Sequence, residues 1–311
     1  MATPRIGIYG IGLMGASLAL ALKAKDPSRH IIGYSRSQST RDEALRRGVI
    51  DEVAIDINAL ASKVDVIVVC VPTLSVAESF RALKEAGFSG VITDVASVKG
   101  NVVKAANEVW GTVPKNLIPG HPIAGSEKSG VTAGKADLYL RHKVILTPLP
   151  DTDVDALNIV TELWQLVGAD VVQMSVEEHD AILAATSHLP HVLAYTLVDT
   201  LAAQSCSVDI FRFAAGGFRD FTRIASSDPV MWHDIVLANR EAILNRIDDF
   251  TLALAELRQS IEAQDSPSIL TLFQRAKAER DRFQQLIAKP ENKSEPENKS
   301  ELGNKSEPEN K

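Results

Sequence analysis

A chain of 311 residues exceeds the length over which one hydrophobic core keeps growing, so two folded units are expected, and a hydrophobic content of 45% can fill both. The net charge of −7 argues against nucleic acid as the main partner, because phosphate binding requires a basic face that this chain does not advertise, and favours small-molecule chemistry. Two cysteines, Cys70 and Cys206, are too few for a disulfide scaffold and read as buried thiols.

Residues 1–5 lead straight into an apolar strand without the leader of a secretory signal. No uncharged apolar run reaches the roughly 18 residues of a membrane span. A cytoplasmic protein with no membrane partner is therefore expected. The first half alternates β-branched runs with helical patterns, as βαβ units do. Strands are predicted at 5–9, 30–34, 64–70, 91–94, 116–118 and 144–147, with helices such as 17–25 and 41–47 between them. The runs are apolar throughout rather than alternating, which predicts parallel strands covered on both faces in a doubly wound α/β sheet.

Directly after the first strand, Gly10-Ile11-Gly12-Leu13-Met14-Gly15 gives G-x-G-x-x-G at the start of a helix. The first glycine permits a tight turn, the second lets backbone approach a pyrophosphate, and the third lets the helix pack on the strand. The helix N-terminus attracts the phosphates. A glycine-rich turn could arise without a ligand, but this position after a strand predicts a dinucleotide site. At the end of the second strand, where NAD enzymes of this fold place an acid on the ribose, stands Ser35, followed by Arg36 and Ser37, with Thr40 one turn on. A carboxylate would repel a 2′-phosphate by ~4 kcal/mol at contact in an intermediate dielectric, whereas a hydroxyl and a guanidinium would bind it. NADP is expected over NAD, unless Arg36 is only a solvated loop charge.

Cys70-Val71-Pro72-Thr73, at and just beyond the end of the strand at 64–70, is expected beside the nicotinamide half of the cofactor. Asp94-Val95-Ala96-Ser97-Val98-Lys99 ends the next strand with a hydroxyl and a cation at the crevice, although Ser97 could equally be a helix N-cap. Pro119-Gly120-His121-Pro122 is predicted as a strand-end loop, and an imidazole there suits a base for an alcohol that loses hydride.

A helix at 153–167 and a strand at 170–174 precede a change of character near Ser175. From 176 to about 288 the pattern is helical, and the apolar stripe from 232 to 257 exceeds what a small bundle needs, so a helix-exchanging homodimer is expected. His179, Asp180, His188 and His191 match no standard zinc spacing, and no metal is expected. From Pro290 onward, near copies of Ser-Glu-Pro-Glu-Asn-Lys cannot bury anything and predict a disordered tail. The expected organisation is thus 1–174 for the cofactor, 175–289 for substrate and dimer, and 290–311 as tail.

Five motifs in one order carry a resemblance. They are the glycine-rich turn, Asp94 to Lys99, Gly120-His121-Pro122-Ile123-Ala124-Gly125-Ser126-Glu127, Ser187-His188-Leu189-Pro190-His191, and Gly216-Gly217-Phe218-Arg219-Asp220-Phe221-Thr222-Arg223. Together, over residues 5–286, the chain resembles the prephenate and arogenate dehydrogenases. The resemblance implies a Rossmann domain followed by an all-α dimerisation domain, and oxidative decarboxylation of a cyclohexadienyl acid in tyrosine biosynthesis. It also implies that His121 is the catalytic base and that Ser97 orients it and the substrate alcohol. Arg223 would hold a substrate carboxylate, while Ser126, Glu127, His188, His191, Gly216, Asp220 and Trp232 would line the pocket. Plainer roles are an ion pair of Arg223 with Asp220 and a core position for Trp232. Another two-domain dehydrogenase, of the β-hydroxyacid type, would use a lysine base, and no lysine lies between Lys143 and Lys277. A non-catalytic NADP sensor is the remaining alternative.

Overall fold

The computed structural model describes residues 3–126, 128–205 and 207–288. Glu127, Cys206 and the expected tail lie outside the described residues. Six parallel strands, β1 (Ile6–Tyr9), β2 (Ile31–Tyr34), β3 (Glu52–Val53), β4 (Val66–Val69), β5 (Val91–Asp94) and β6 (Leu117–Ile118), form one sheet in the order β3-β2-β1-β4-β5-β6. The order reverses between β1 and β4, which opens a crevice at their carboxyl ends. Ile6, Ile8, Val66 and Val68 pack into one core with Leu18 and Leu22, and Ile67 and Val69 pack into another with Phe80 and Leu83. Both faces are covered, which is why these strands read as unbroken apolar runs.

The connecting helices are α1 (Leu13–Lys25), α2 (Gln38–Arg46), α3 (Ile57–Ala61), α4 (Val76–Glu85) and α5 (Lys99–Trp110), followed by α6 (Val154–Leu166) beyond the sheet. Gly10 takes φ +102, and a Cβ there would meet the carbonyl of Cys70. A Cβ on Gly15 would collide with the carbonyl of Gly10, so these two glycines have backbone reasons for their identity.

Two expectations need correction. The strand predicted at 144–147 does not extend the parallel sheet. It is β8 (Lys143–Leu146), in a second sheet with β7 (Gly120–Pro122) and β9 (Asp170–Gln173), in the order β7-β8-β9. His121 is correspondingly in a strand rather than a loop: β7 runs antiparallel to β8, with His121 opposite Ile145. Pro122 lacks an N–H, and the edge position of β7 is where a sheet tolerates that.

From Val176 the chain is helical: α7 (Val176–Leu183), a π turn at Ala184–His188, α8 (Leu189–Ala202), α9 (Ser207–Arg212), α10 (Gly216–Thr222), α11 (Pro229–Ala238), α12 (Arg240–Glu262) and α13 (Ser266–Ala288). Pro190, which cannot donate a helical hydrogen bond, is the second residue of α8, just beyond the π turn. The run Val176–Ala202 is long and apolar enough to cross a membrane on length and composition alone, yet it carries Asp180 and three histidines of the site described next. The chain divides into two compact units at Asp248 and Asp249, within α12.

Candidate active site

The cleft at the carboxyl ends of β1, β2 and β4 is lined by Gly10, Ile11, Gly12, Ser35, Arg36, Ser37, Thr40, Val71 and Pro72 from the predicted cofactor set. Cys70, expected there with Val71 and Pro72, also lines it, Thr73 does not, and Tyr9, Ser75, Glu78, Ser79 and Gly130 complete it and were not anticipated. Leu13, Met14, Gly15 and Ser97 do not line it; Met14 instead accepts a 2.7 Å hydrogen bond at its carbonyl from Tyr139. Gly12 caps α1 with no side-chain hydrogen bond, and the space where its Cβ would sit is open. The amides of the first turn therefore face a cradle that suits a pyrophosphate. At the ribose end, the Ser37 hydroxyl caps α2 by accepting from the Thr40 amide at 3.3 Å. Arg41 donates to the Ser35 carbonyl and sits 5.9 Å over the Tyr34 ring. Arg36 approaches Glu78 at 3.6 Å, both exposed.

A second cluster is built around β7. Asp94, at the end of β5, accepts from the Ala96 amide at 2.8 Å and the Gly120 amide at 3.2 Å. The Lys99 ammonium donates to Asp94 and to the Gly120 carbonyl, and neither Lys99 nor Asp94 is exposed at all. Burial lowers the Lys99 pKa, opposed by the Asp94 charge. The residue before His121 is thus gripped at its amide and at its carbonyl.

His121 Nδ1 lies 2.9 Å from His179 Nε2, and His179 Nδ1 lies 2.7 Å from the Asp180 carboxylate. Asp180 also accepts from the Lys99 and Gly100 amides at 2.9 and 2.8 Å, at the N-terminus of α5. Those amides and the helix dipole favour its ionised form, and its pKa is lowered despite burial, the largest influence, which acts the other way. A Cβ on Gly100 would press on the Asp180 carboxylate. Burial drives His121 well below 6.5, and His179, Lys99 and His188 push the same way. His188 is pushed down to about 4, chiefly by burial. The Asn239 amide donates to its Nδ1 at 3.1 Å and to the Asp180 carbonyl at 2.9 Å.

His191 stacks on Trp232 at 3.6 Å with 19° between the rings, and donates from Nδ1 to the Ser187 carbonyl at 2.9 Å. Its pKa is lowered by burial and, more weakly, by the Arg223 charge. Arg223 opens a short helical turn, Arg223–Ser226, that packs against α8, the helix carrying His191. Trp232 is buried, in a small cluster with Val98 and Ile235, and its indole N–H has no partner. It is core and pocket wall together. The structure thus groups His121, His188, His191 and Trp232 with Lys99, the cation expected at the crevice, and with His179, Asp180 and Asn239, which had no place in the expected substrate site. Ser97 is half-buried and is not an N-cap, since Val98 caps α5. Ser126 turns its hydroxyl to the backbone of Lys128, and Gly216 and Asp220 lie exposed on α10.

A dinucleotide cleft at a sheet switch point, in one compact unit with a buried imidazole, defines a nicotinamide-dependent oxidoreductase. Residues 18–173 match the prephenate dehydrogenase nucleotide-binding domain, and residues 175–275 match the prephenate dehydrogenase dimerization domain. The cyclohexadienyl dehydrogenase of Zymomonas mobilis is 38% identical over 279 residues, 88% of this chain and 94% of the relative. The prephenate dehydrogenase of Bacillus subtilis is 39% identical over 280 residues, 88% of this chain and 74% of the relative. The crystal structure of A. aeolicus prephenate dehydrogenase in complex with hydroxyphenyl propionate and NAD+ superposes with a TM-score of 0.84 at 36% identity, covering 91% of this chain and 99% of that one. The chain belongs to the prephenate dehydrogenase family.

Proposed function

We propose that the protein oxidatively decarboxylates prephenate or arogenate, with NADP as the preferred acceptor and His121 as the base. The observation that carries this reading is His121, buried and neutral, with Nδ1 engaged by His179 and Nε2 left for a substrate. The A. aeolicus relative, which binds an aromatic acid together with a nicotinamide cofactor, supports the pairing of ligands. His121 takes the proton of the ring C4 hydroxyl. The bound nicotinamide supplies the acceptor for the C4 hydride. The ring carboxylate then departs as carbon dioxide, its bonding electrons complete the aromatic ring, and His121 returns its proton to the phenolate oxygen. Aromatisation drives the second stage, so the chain need only align the substrate, move one proton and place charge.

In this reading Ser97 orients the substrate alcohol and Arg223 holds a carboxylate. His188, His191, Trp232, Ser126, Glu127, Gly216 and Asp220 shape the pocket. Residues 1–174 serve the cofactor, and 175–289 serve substrate and dimer.

Steady-state kinetics with both substrates and both cofactors test the assignment; no NAD(P)H and no carbon dioxide from either dienyl acid would overturn it. Ser35 and Arg36 in the cleft support NADP. Ser35→Asp is expected to raise the KM for NADP at least ~tenfold and to improve NAD use. Equal wild-type efficiency with the two cofactors would refute the preference.

The match to a dimerization domain and the large exposed apolar residues Phe250, Leu252, Leu254, Leu270 and Phe273 support a homodimer. Light scattering at micromolar concentration should give twice the chain mass, unchanged on deletion of residues 290–311. A monomer would contradict the dimer, and lost activity on truncation would contradict a dispensable tail.

A further inference from the structure

We propose that His179 and Asp180 act as a positioning pair that fixes the tautomer of His121, leaving Nε2 as its basic nitrogen. The proposal rests on the reading of His121 as the base. Asp180 already accepts two backbone N–H groups, from Lys99 and Gly100, and as a carboxylate it can only accept. His179 Nδ1, 2.7 Å from it, must therefore carry the proton. A neutral His179 then presents a lone pair at Nε2. The atom 2.9 Å away, His121 Nδ1, must donate into it, so the His121 proton sits on Nδ1 and the lone pair on Nε2. The whole chain of hydrogen bonds is oriented from one end, by the amides of α5.

The reverse polarity would disable the site. A protonated His179 would donate from Nε2 to His121 Nδ1, and a neutral His121 would then hold its proton on the nitrogen that must accept one. Burial disfavours that charge, and His179 is pushed below 6.5. The charged and titratable groups around the pair act in known directions: the Lys99 cation disfavours protonation of either ring, while Asp94 and Asp180 favour it at His179, and His188 disfavours it at His121. Once His121 has taken the substrate proton, the imidazolium donates to His179, with the Asp180 charge behind it. The logic is that of a catalytic triad, in which the carboxylate holds the imidazole tautomer and does not itself become protonated. Here a second imidazole is interposed.

A purely structural role, in which Asp180 only ties α7 to α5, makes a different prediction. The readouts are therefore the tautomer and the division between kcat and KM. In the full-length, 15N-histidine-labelled, NADP-saturated protein, His121 is expected to be protonated at Nδ1 and bare at Nε2. His179→Phe removes the acceptor and should lower kcat at least ~tenfold, with substrate KM and NADP affinity within about twofold, while His121 shifts toward the Nε2–H form. His179→Gln, whose carbonyl can still accept, should recover most of kcat. An Nε2–H tautomer for His121 in the wild type would overturn the proposal, even if the Phe variant failed to fold. So would wild-type kcat in the Phe variant, or equal losses in both variants. If the wild type turned over neither dienyl acid, the functional reading would fail, while the tautomer measurement would still decide this inference.

Discussion

His121→Asn is expected to lower kcat by ~10²-fold or more while leaving NADP affinity nearly unchanged. The asparagine amide can still donate toward His179, so the local hydrogen bonding survives, but it cannot take a proton. Cofactor affinity is spared because His121 is not among the residues lining the dinucleotide cleft. The pH profile is a second readout. A loop imidazole would give an acid limb within about a unit of 6.5. The structure moves that limb to lower pH. Burial, and then the neighbouring His179, Lys99 and His188, hold His121 well below 6.5. The base works when neutral, so kcat/KM in the free enzyme should stay flat as pH falls through 6.5 and decline only further into acid. Near wild-type kcat in the Asn variant, with the same acid limb, would move the role elsewhere. His191, with Nδ1 engaged by Ser187 and Nε2 free of that bond, would be the first candidate.

The cofactor half was legible because its signals are local. A glycine turn after a strand, and apolar runs of strand length, need no knowledge of distant contacts, and all seven predicted runs from 5–9 to 170–174 fall on observed strands of one sheet or the other. What failed was assignment to a sheet. Nothing within residues 143–146 distinguishes a seventh parallel strand from the centre of a separate mixed sheet, and a three-residue strand containing a proline has too little pattern to detect. The site was half legible. His121 stood out between Gly120 and Pro122, His188 and His191 came through a family motif, and Trp232 came only through the wider resemblance. The His121–His179 contact spans 58 residues and the Lys99–Asp180 contact spans 81. Hydrophobic periodicity records only which helix face is apolar, so His179 and Asp180 looked like parts of an unlikely metal set. Only the docking of α7 on the N-terminus of α5 shows them as one chain of hydrogen bonds.

Asp94→Ala should be among the most damaging single changes in the chain, costing about 3–5 kcal/mol of stability. The substitution deletes the partner of an ammonium that is wholly buried, and Lys99 has only the Gly120 carbonyl left to receive its hydrogen bonds. Desolvation already lowers the Lys99 pKa, so loss of the Asp94 charge should favour its neutral form, and the variant should lose more stability as pH falls. The same change frees the Gly120 amide and loosens β7 immediately before His121, so kcat should fall alongside stability. Removing both charges separates the two effects. Asp94→Ala with Lys99→Met buries no unpaired charge and should recover most of the stability in urea unfolding, whereas kcat should remain low because neither grip on Gly120 is restored. A double variant no more stable than Asp94→Ala would mean that the Lys99 charge is not the source of the loss. Wild-type kcat in the double variant would mean that β7 holds His121 in place without help from the ion pair.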